Sequence, residues 1–120
     1  MAKRKSDPVP LDPTPRFADM FAALGSEPRL RIIRILLSAH PIGSKAGDIQ
    51  MEVGIPPSTL SHHLEKLRNE ELIEVRRDGT SLWYTANVEV LRALLSFLYA
   101  ECCTRSQVIT AEEILAACET

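Results

Sequence analysis

The three cysteines of this 120-residue chain all lie near its end: Cys102 and Cys103 adjoin in "ECCT", and Cys118 follows in "ILAACE". Thiolates are soft ligands and good nucleophiles. Such a group suits capture of a thiophilic centre, reversible oxidation or thiol catalysis. An odd count fits a disulfide framework poorly. The start, "MAKRKSDPVPLDPTPRF", is basic and lacks the apolar core of a secretion signal, and no run of eighteen apolar residues is present to span a membrane. The chain therefore reads as cytoplasmic, where thiols stay reduced. Catalysis is the poorest fit. The pair closes an apolar helical run, and a helix C-terminus disfavours a thiolate. No phosphate-cradling glycine loop or nucleophile–base set accompanies it, so the chain reads as a non-enzyme. Cysteine is also a common small buried hydrophobe, a role that suits Cys118 better than the adjacent pair.

The elements that position these thiols are legible from periodicity. Residues 1–15 carry "KRK" and four prolines and read as an extended arm. Hydrophobic residues make up 45% of the chain, enough for one core. A domain this small gains from further burial in a dimer. The net charge of -2 gives no general basic character, so any nucleic-acid surface depends on charge placement.

Phe17, Met20, Phe21 and Leu24 recur at helical spacing in "PRFADMFAALG", which Gly25 ends. Ser26 is an N-cap for a second helix with Pro28 in its first turn. There Leu30, Ile33 and Leu37 share a face, which Ile32 and Ile35 widen, and Arg29, Arg31 and Arg34 lie elsewhere. "KAGDIQMEVG" is a short third helix ended by Gly54. In "IPPSTLSHHLEKLRNEELI", Pro57 suits the first helical position, and Leu60, Leu64 and Leu67 form an apolar stripe. Ser58, His62 and Lys66 stand opposite that stripe, with Thr59 and Ser61 at its edges. His63 lies near the stripe and reads as a packed, hydrogen-bonded histidine.

This order is a helix-turn-helix pattern. "IEVRRDGTSLWYTA" follows as two alternating runs about Asp78-Gly79, a hairpin signal and hence a wing. "NVEVLRALLSFLYAECC" is apolar nearly all round, which suits a helix shared with a second subunit. "TAEEILAACET" carries a capping box at Thr110 and Glu113, with Ile114 and Cys118 on one face.

A groove-reading helix needs small polar or charged side chains in its N-terminal half, which Ser58, Thr59, Ser61 and His62 supply. Lys66, Arg76 and Arg77 are suited to phosphates or an adjacent groove. Ser58 and Thr59 also suit a purely capping role, and Arg76 and Arg77 an ordinary solvated strand end.

The stretches "ALGSEPRLRIIRILL", "DIQMEVGIPPSTLSHHLEKLRNEELI" and "VRRDGTSLWYT" together resemble the ArsR family of winged-helix metalloregulatory repressors, over residues 17–102. The resemblance implies a mainly α fold with a β-hairpin wing: a winged helix-turn-helix domain over residues 16–103, dimeric through its terminal helices. A tail of residues 104–120 would carry the third thiol. It also implies a homodimeric repressor that holds double-stranded operator DNA and lets go on binding an inducer, with no resident cofactor. Pro56 stands where relatives often have a Ser or Thr cap. Two inducer sites of the family lack their ligands here: "SKAGDIQME" has no cysteine, and "NVEVLRALLSFLYAE" has no histidine.

The three thiols remain. Trivalent arsenic or antimony has three bonding directions, so arsenite or antimonite would take Cys102, Cys103 and Cys118. An organic trivalent arsenical would need only the vicinal pair. On a regular helix adjacent side chains diverge by about 100°, so chelation by both thiols is easier if the helix ends there. A sensor of oxidants or persulfides, pairing Cys118 with Cys102 or Cys103, is the alternative signal for the same fold.

Overall fold

A computed structural model describes residues 12–105, together with residues 112, 115 and 116. Cys118, most of the expected arm and most of the expected terminal helix lie outside the described residues. Among the described residues, five helices and three short strands follow in the order α1 (Thr14–Leu24), α2 (Glu27–Ser38), β1 (Ser44–Lys45), α3 (Ala46–Val53), α4 (Pro57–Asn69), β2 (Ile73–Asp78), β3 (Ser81–Ala86) and α5 (Val88–Tyr99). The strands form one antiparallel sheet in the order β1-β3-β2.

Local chemistry sets the boundaries. The Ser26 hydroxyl accepts a hydrogen bond from the Arg29 amide, capping α2. Gly54 ends α3 in the left-handed conformation, φ 75°, and its N–H bonds the Gln50 carbonyl at 2.7 Å. Pro56 is extended and Pro57 opens α4, so that helix starts without a side-chain cap. Ser58 and Thr59 therefore do not act as its N-cap. In the wing, Asp78 pairs with Ser81 across a two-residue loop of Gly79 and Thr80, with Gly79 supplying the positive φ at its first position. The Asn87 side-chain oxygen accepts from the Val90 amide and caps α5, while its amide nitrogen donates to the Glu71 carbonyl.

The core gathers one face of every helix. Leu60, Leu64 and Leu67 of α4 are buried as their spacing predicts, against Met20, Ile49 and the wing base at Ile73 and Ala86. The expected α2 stripe is corrected. Ile32, Ile33 and Leu36 face the core, while Leu30 and Leu37 are 49% and 42% exposed. The helix lies against α1, α3, α4 and β3. That central position fixes the inward face, and a row of apolar residues at i, i+3 and i+7 does not. The strand β1 has no counterpart in the sequence pattern. Two residues carry no periodicity, and β1 exists because Ser44 and Lys45 pair with Tyr84 and Trp83 of β3.

On α5 only Leu94 is buried, and Leu95 and Leu98 stay more than half exposed. Phe97 stacks on Phe17 of α1, ring centroids 4.4 Å apart. No helix among the described residues is long and apolar enough to cross a membrane.

Candidate nucleic-acid interface and thiol pair

The amphipathic pattern of α4 turns one edge of the helix outward. Ser58, Thr59, Ser61, His62 and Lys66 are all exposed there, opposite the buried leucines. The expected wing residues are exposed too. Arg77 lies near the hairpin tip, and Arg76 reaches back, its guanidinium donating to the Ile42 carbonyl at 3.3 Å.

Two side chains not singled out as site residues hold α4 in place. Arg29 of α2 donates through Nε to the Ala23 carbonyl at the end of α1, and its Nη1 lies 3.1 Å from His63 Nδ1 on α4. His63 is thus half-buried and hydrogen-bonded, as its place beside the stripe predicts. Burial first, then the cations Arg29 and Lys66 and the neighbouring His62, hold its pKa below the ordinary value. Arg16 of α1 forks onto the far end of α4: Nη1 meets Glu70 Oε1 at 2.9 Å, and Nη2 meets the Glu70 carbonyl and Glu71 Oε1. A fork of this kind is invisible in sequence, because its ends lie more than fifty residues apart.

The thiols sit just beyond the last full turn of α5. After Tyr99 the chain tightens into turns, with the Cys102 amide on the Tyr99 carbonyl at 2.9 Å. Cys103 adopts a positive φ of 61°. That break removes the helical divergence of adjacent side chains and brings the Cys102 and Cys103 sulfurs to 3.4 Å. The hydrogen bond with Cys103, then burial and the neighbouring negative charge, push the Cys102 thiol up from its ordinary value. The pair brings together two sulfurs, not three. Among the described residues no group of three or more His, Cys, Asp or Glu side chains is placed to hold a metal ion.

Comparison with known proteins bears on this arrangement. Residues 26–75, from the α2 cap to the first wing strand, match the family model described as bacterial regulatory protein, arsR family. The HTH-type transcriptional regulator YgaV of Escherichia coli is 33% identical over 61% of this chain and 73% of its own length. The chain belongs to the ArsR family. The HTH-type transcriptional regulator KmtR of Mycobacterium tuberculosis is 30% identical over 74% of this chain, and the match spans 66% of that relative's length. Among solved structures, the homodimeric winged helix-turn-helix DNA-binding domain of a possible ArsR-family transcriptional regulator from Mycobacterium bovis superposes with a TM-score of 0.58. It is 25% identical, over 92% of this chain and 97% of that one. The fold is accordingly the winged helix-turn-helix of ArsR-type DNA-binding transcriptional regulators. The family match ends at residue 75, before α5 begins. It speaks for the DNA-reading unit and is silent on the thiols.

Proposed function

We propose that this ArsR-family chain is a homodimeric transcriptional repressor whose operator grip is released when trivalent arsenic or antimony is captured by its C-terminal thiols. Operator contact falls to Ser58, Thr59, Ser61, His62 and Lys66 on α4 and to Arg76 and Arg77 on the wing. Dimerisation falls to α1 and α5, whose Phe21, Leu95 and Leu98 are exposed apolar residues of the kind a second subunit covers.

The single observation carrying the inducer reading is the 3.4 Å separation of the Cys102 and Cys103 sulfurs where α5 stops being helical. One soft atom can bridge two sulfurs at contact distance with little rearrangement, and thiolates select soft centres over oxygen or nitrogen sites. Each As–S bond would form as an As–OH bond breaks, the thiol proton leaving with the hydroxyl as water. In the full site Cys118 completes the third bond, from the same chain or its partner. With the pair alone, the third substituent is the organic arm of a monosubstituted arsenical.

A ligand shifts a regulator only if it prefers the arrangement that binds DNA poorly. Drawing the tail against α5 would act on the subunit contact, and operator half-site spacing makes affinity sensitive to that contact.

The test is anisotropy of a duplex recovered by the native protein from a random-sequence pool. It is run with arsenite and with a methylated trivalent arsenical, on the native chain and on Cys102→Ser, Cys103→Ser and Cys118→Ser. Release from native protein and none from Cys102→Ser is the expected result. Normal release from Cys102→Ser at the same inducer level refutes the thiol assignment. Release by hydrogen peroxide or persulfide alone would move the reading to a redox sensor.

A further inference from the structure

One cationic feature joins Arg76 to two residues not assigned to DNA so far, Lys45 and Trp83. In the sheet order β1-β3-β2, Lys45 pairs with Trp83, and Trp83 pairs with Arg76. These three positions form a row straight across the sheet. Side chains alternate along a strand. Ile73 and Ala86 are buried and Tyr84 packs against the core, so Lys45, Trp83 and Arg76 occupy the outer face. The Lys45 ammonium lies 5.3 Å from the centre of the Trp83 ring, and the Arg76 guanidinium 6.0 Å from it. One half-buried indole therefore holds two exposed cations, one from each flanking strand.

Neither Lys45 nor Arg76 forms an ion pair among the described residues. Among the described residues the charge-paired arginines are elsewhere: Arg16 on Glu70 and Glu71, Arg31 on Glu27, and Arg92 on Glu89. Glu74 and Asp78, two residues before and after Arg76 on the same face of β2, bound the row along that strand. Lys45 is also the residue immediately before α3, the first helix of the helix-turn-helix. The row thus joins the wing to the start of that unit.

We propose that Lys45 and Arg76, held in register by Trp83, form a phosphate clamp on the DNA backbone beside the groove that α4 reads. The inference rests on the DNA-binding reading and adds Lys45 as a contact and Trp83 as a positioning residue. Two cations free of ion pairs among the described residues, placed on either side of one indole, suit phosphates of the DNA backbone. Such contacts set position and affinity without reading bases. A planar guanidinium and an ammonium lying on an aromatic face lose less freedom on binding than the same groups on free side chains.

Because phosphate contacts are sequence-independent, the test needs no operator. Binding of a fluorescein-labelled mixed-sequence duplex several helical turns long is followed against salt concentration for the full chain. Lys45→Gln and Arg76→Gln should each make the slope of log K against log salt shallower by about 0.9, and the pair together by about 1.8. Arg92→Gln, on α5, should leave the slope unchanged. Trp83→Leu keeps both charges, yet should weaken binding by about two- to fivefold for each cation released. Trp83→Phe should restore most of that loss.

Native slopes for both glutamine variants overturn the clamp while leaving the DNA-binding reading intact. Native affinity for Trp83→Leu overturns the positioning role. Failure of the native chain to bind any duplex overturns both readings. If Trp83→Leu does not fold, the two exposed substitutions still decide the outcome.

Discussion

Leu94 and Leu95 are neighbours on α5 with opposite surroundings, and that difference makes the proposed subunit contact measurable. Leu94 is 1% exposed and Leu95 is 54% exposed. Truncating a fully buried leucine loses its transfer free energy and leaves a cavity, at about 2–5 kcal/mol. Leu94→Ala should therefore cost about 3 kcal/mol out of the roughly 5–15 kcal/mol that holds a domain together. With a urea dependence of about 2 kcal/mol per molar, the midpoint falls by about 1.5 M. That loss should be the same at every protein concentration. Leu95→Ala removes a side chain that its own subunit hardly covers, so in dilute monomer it should change stability by no more than about 0.5 kcal/mol. Once subunits associate, stability rises with concentration by mass action, and Leu95→Ala should flatten that rise. Urea unfolding over a wide range of protein concentration, paired with sedimentation velocity, reads both effects. An equal loss from the two variants in dilute protein, or a native midpoint that never moves with concentration, refutes the assignment of this face to a second subunit.

Three further outcomes follow from particular side chains. The His63 pKa is lowered from 6.5, so the fold favours its neutral form; its contribution is present above the unfolded value and is lost as pH falls through the folded one. Urea midpoints should begin to drop as pH falls below the ordinary value of 6.5, and His63→Gln should flatten that drop. Gly43 is buried at φ 93°, and an added Cβ would fall within 2.3 Å of the Tyr84 carbonyl. Gly43→Ala should thus lower the melting temperature and loosen β1 from β3, read as faster amide exchange at Ser44 and Lys45. Capture of neutral arsenite exchanges hydroxyl for thiol without net proton release. Affinity by calorimetry should stay level through neutral pH and weaken only where thiols ionise, a point the raised Cys102 shifts upward. A divalent cation would instead gain about tenfold per pH unit for each proton displaced.

Much of the architecture was legible because it rests on local pattern. The leucine row of α4, the glycine ends of α1 and α3 and the hairpin glycine each state their role within a few residues. The α2 face was misjudged where two apolar rows compete on one helix. Leu30 and Leu37 are as apolar as Ile32 and Leu36, and only the packing of α3 and β3 selects between them. The candidate base-reading residues sit on exposed positions of α4 as expected. The Arg16 fork, the Arg29–His63 link and the Lys45–Trp83–Arg76 row are not legible in the sequence because each joins elements distant along the chain. Lys45 in particular depends on β1, which has no signature of its own.

The placement of the thiols constrains how any signal they receive can reach α4. Cys102 and Cys103 follow α5 after Ala100 and Glu101, and the last turn of α5 carries Phe97, stacked on Phe17. Phe17 adjoins Arg16, whose guanidinium grips Glu70 and Glu71 where α4 ends and β2 approaches. The stack is apolar and the fork is charge-assisted, so the two links fail under different perturbations. Phe17→Leu would loosen α5 from α1 while leaving the fork intact. Arg16→Met would free the end of α4 while leaving the stack intact. If the thiol end acts on DNA through its own subunit, both variants should reduce arsenite-driven release while native affinity for the metalloid persists. If it acts only by shifting one subunit against the other, Arg16→Met should leave release unchanged. Spatial continuity alone does not establish coupling. The difference between those two variants measures it directly.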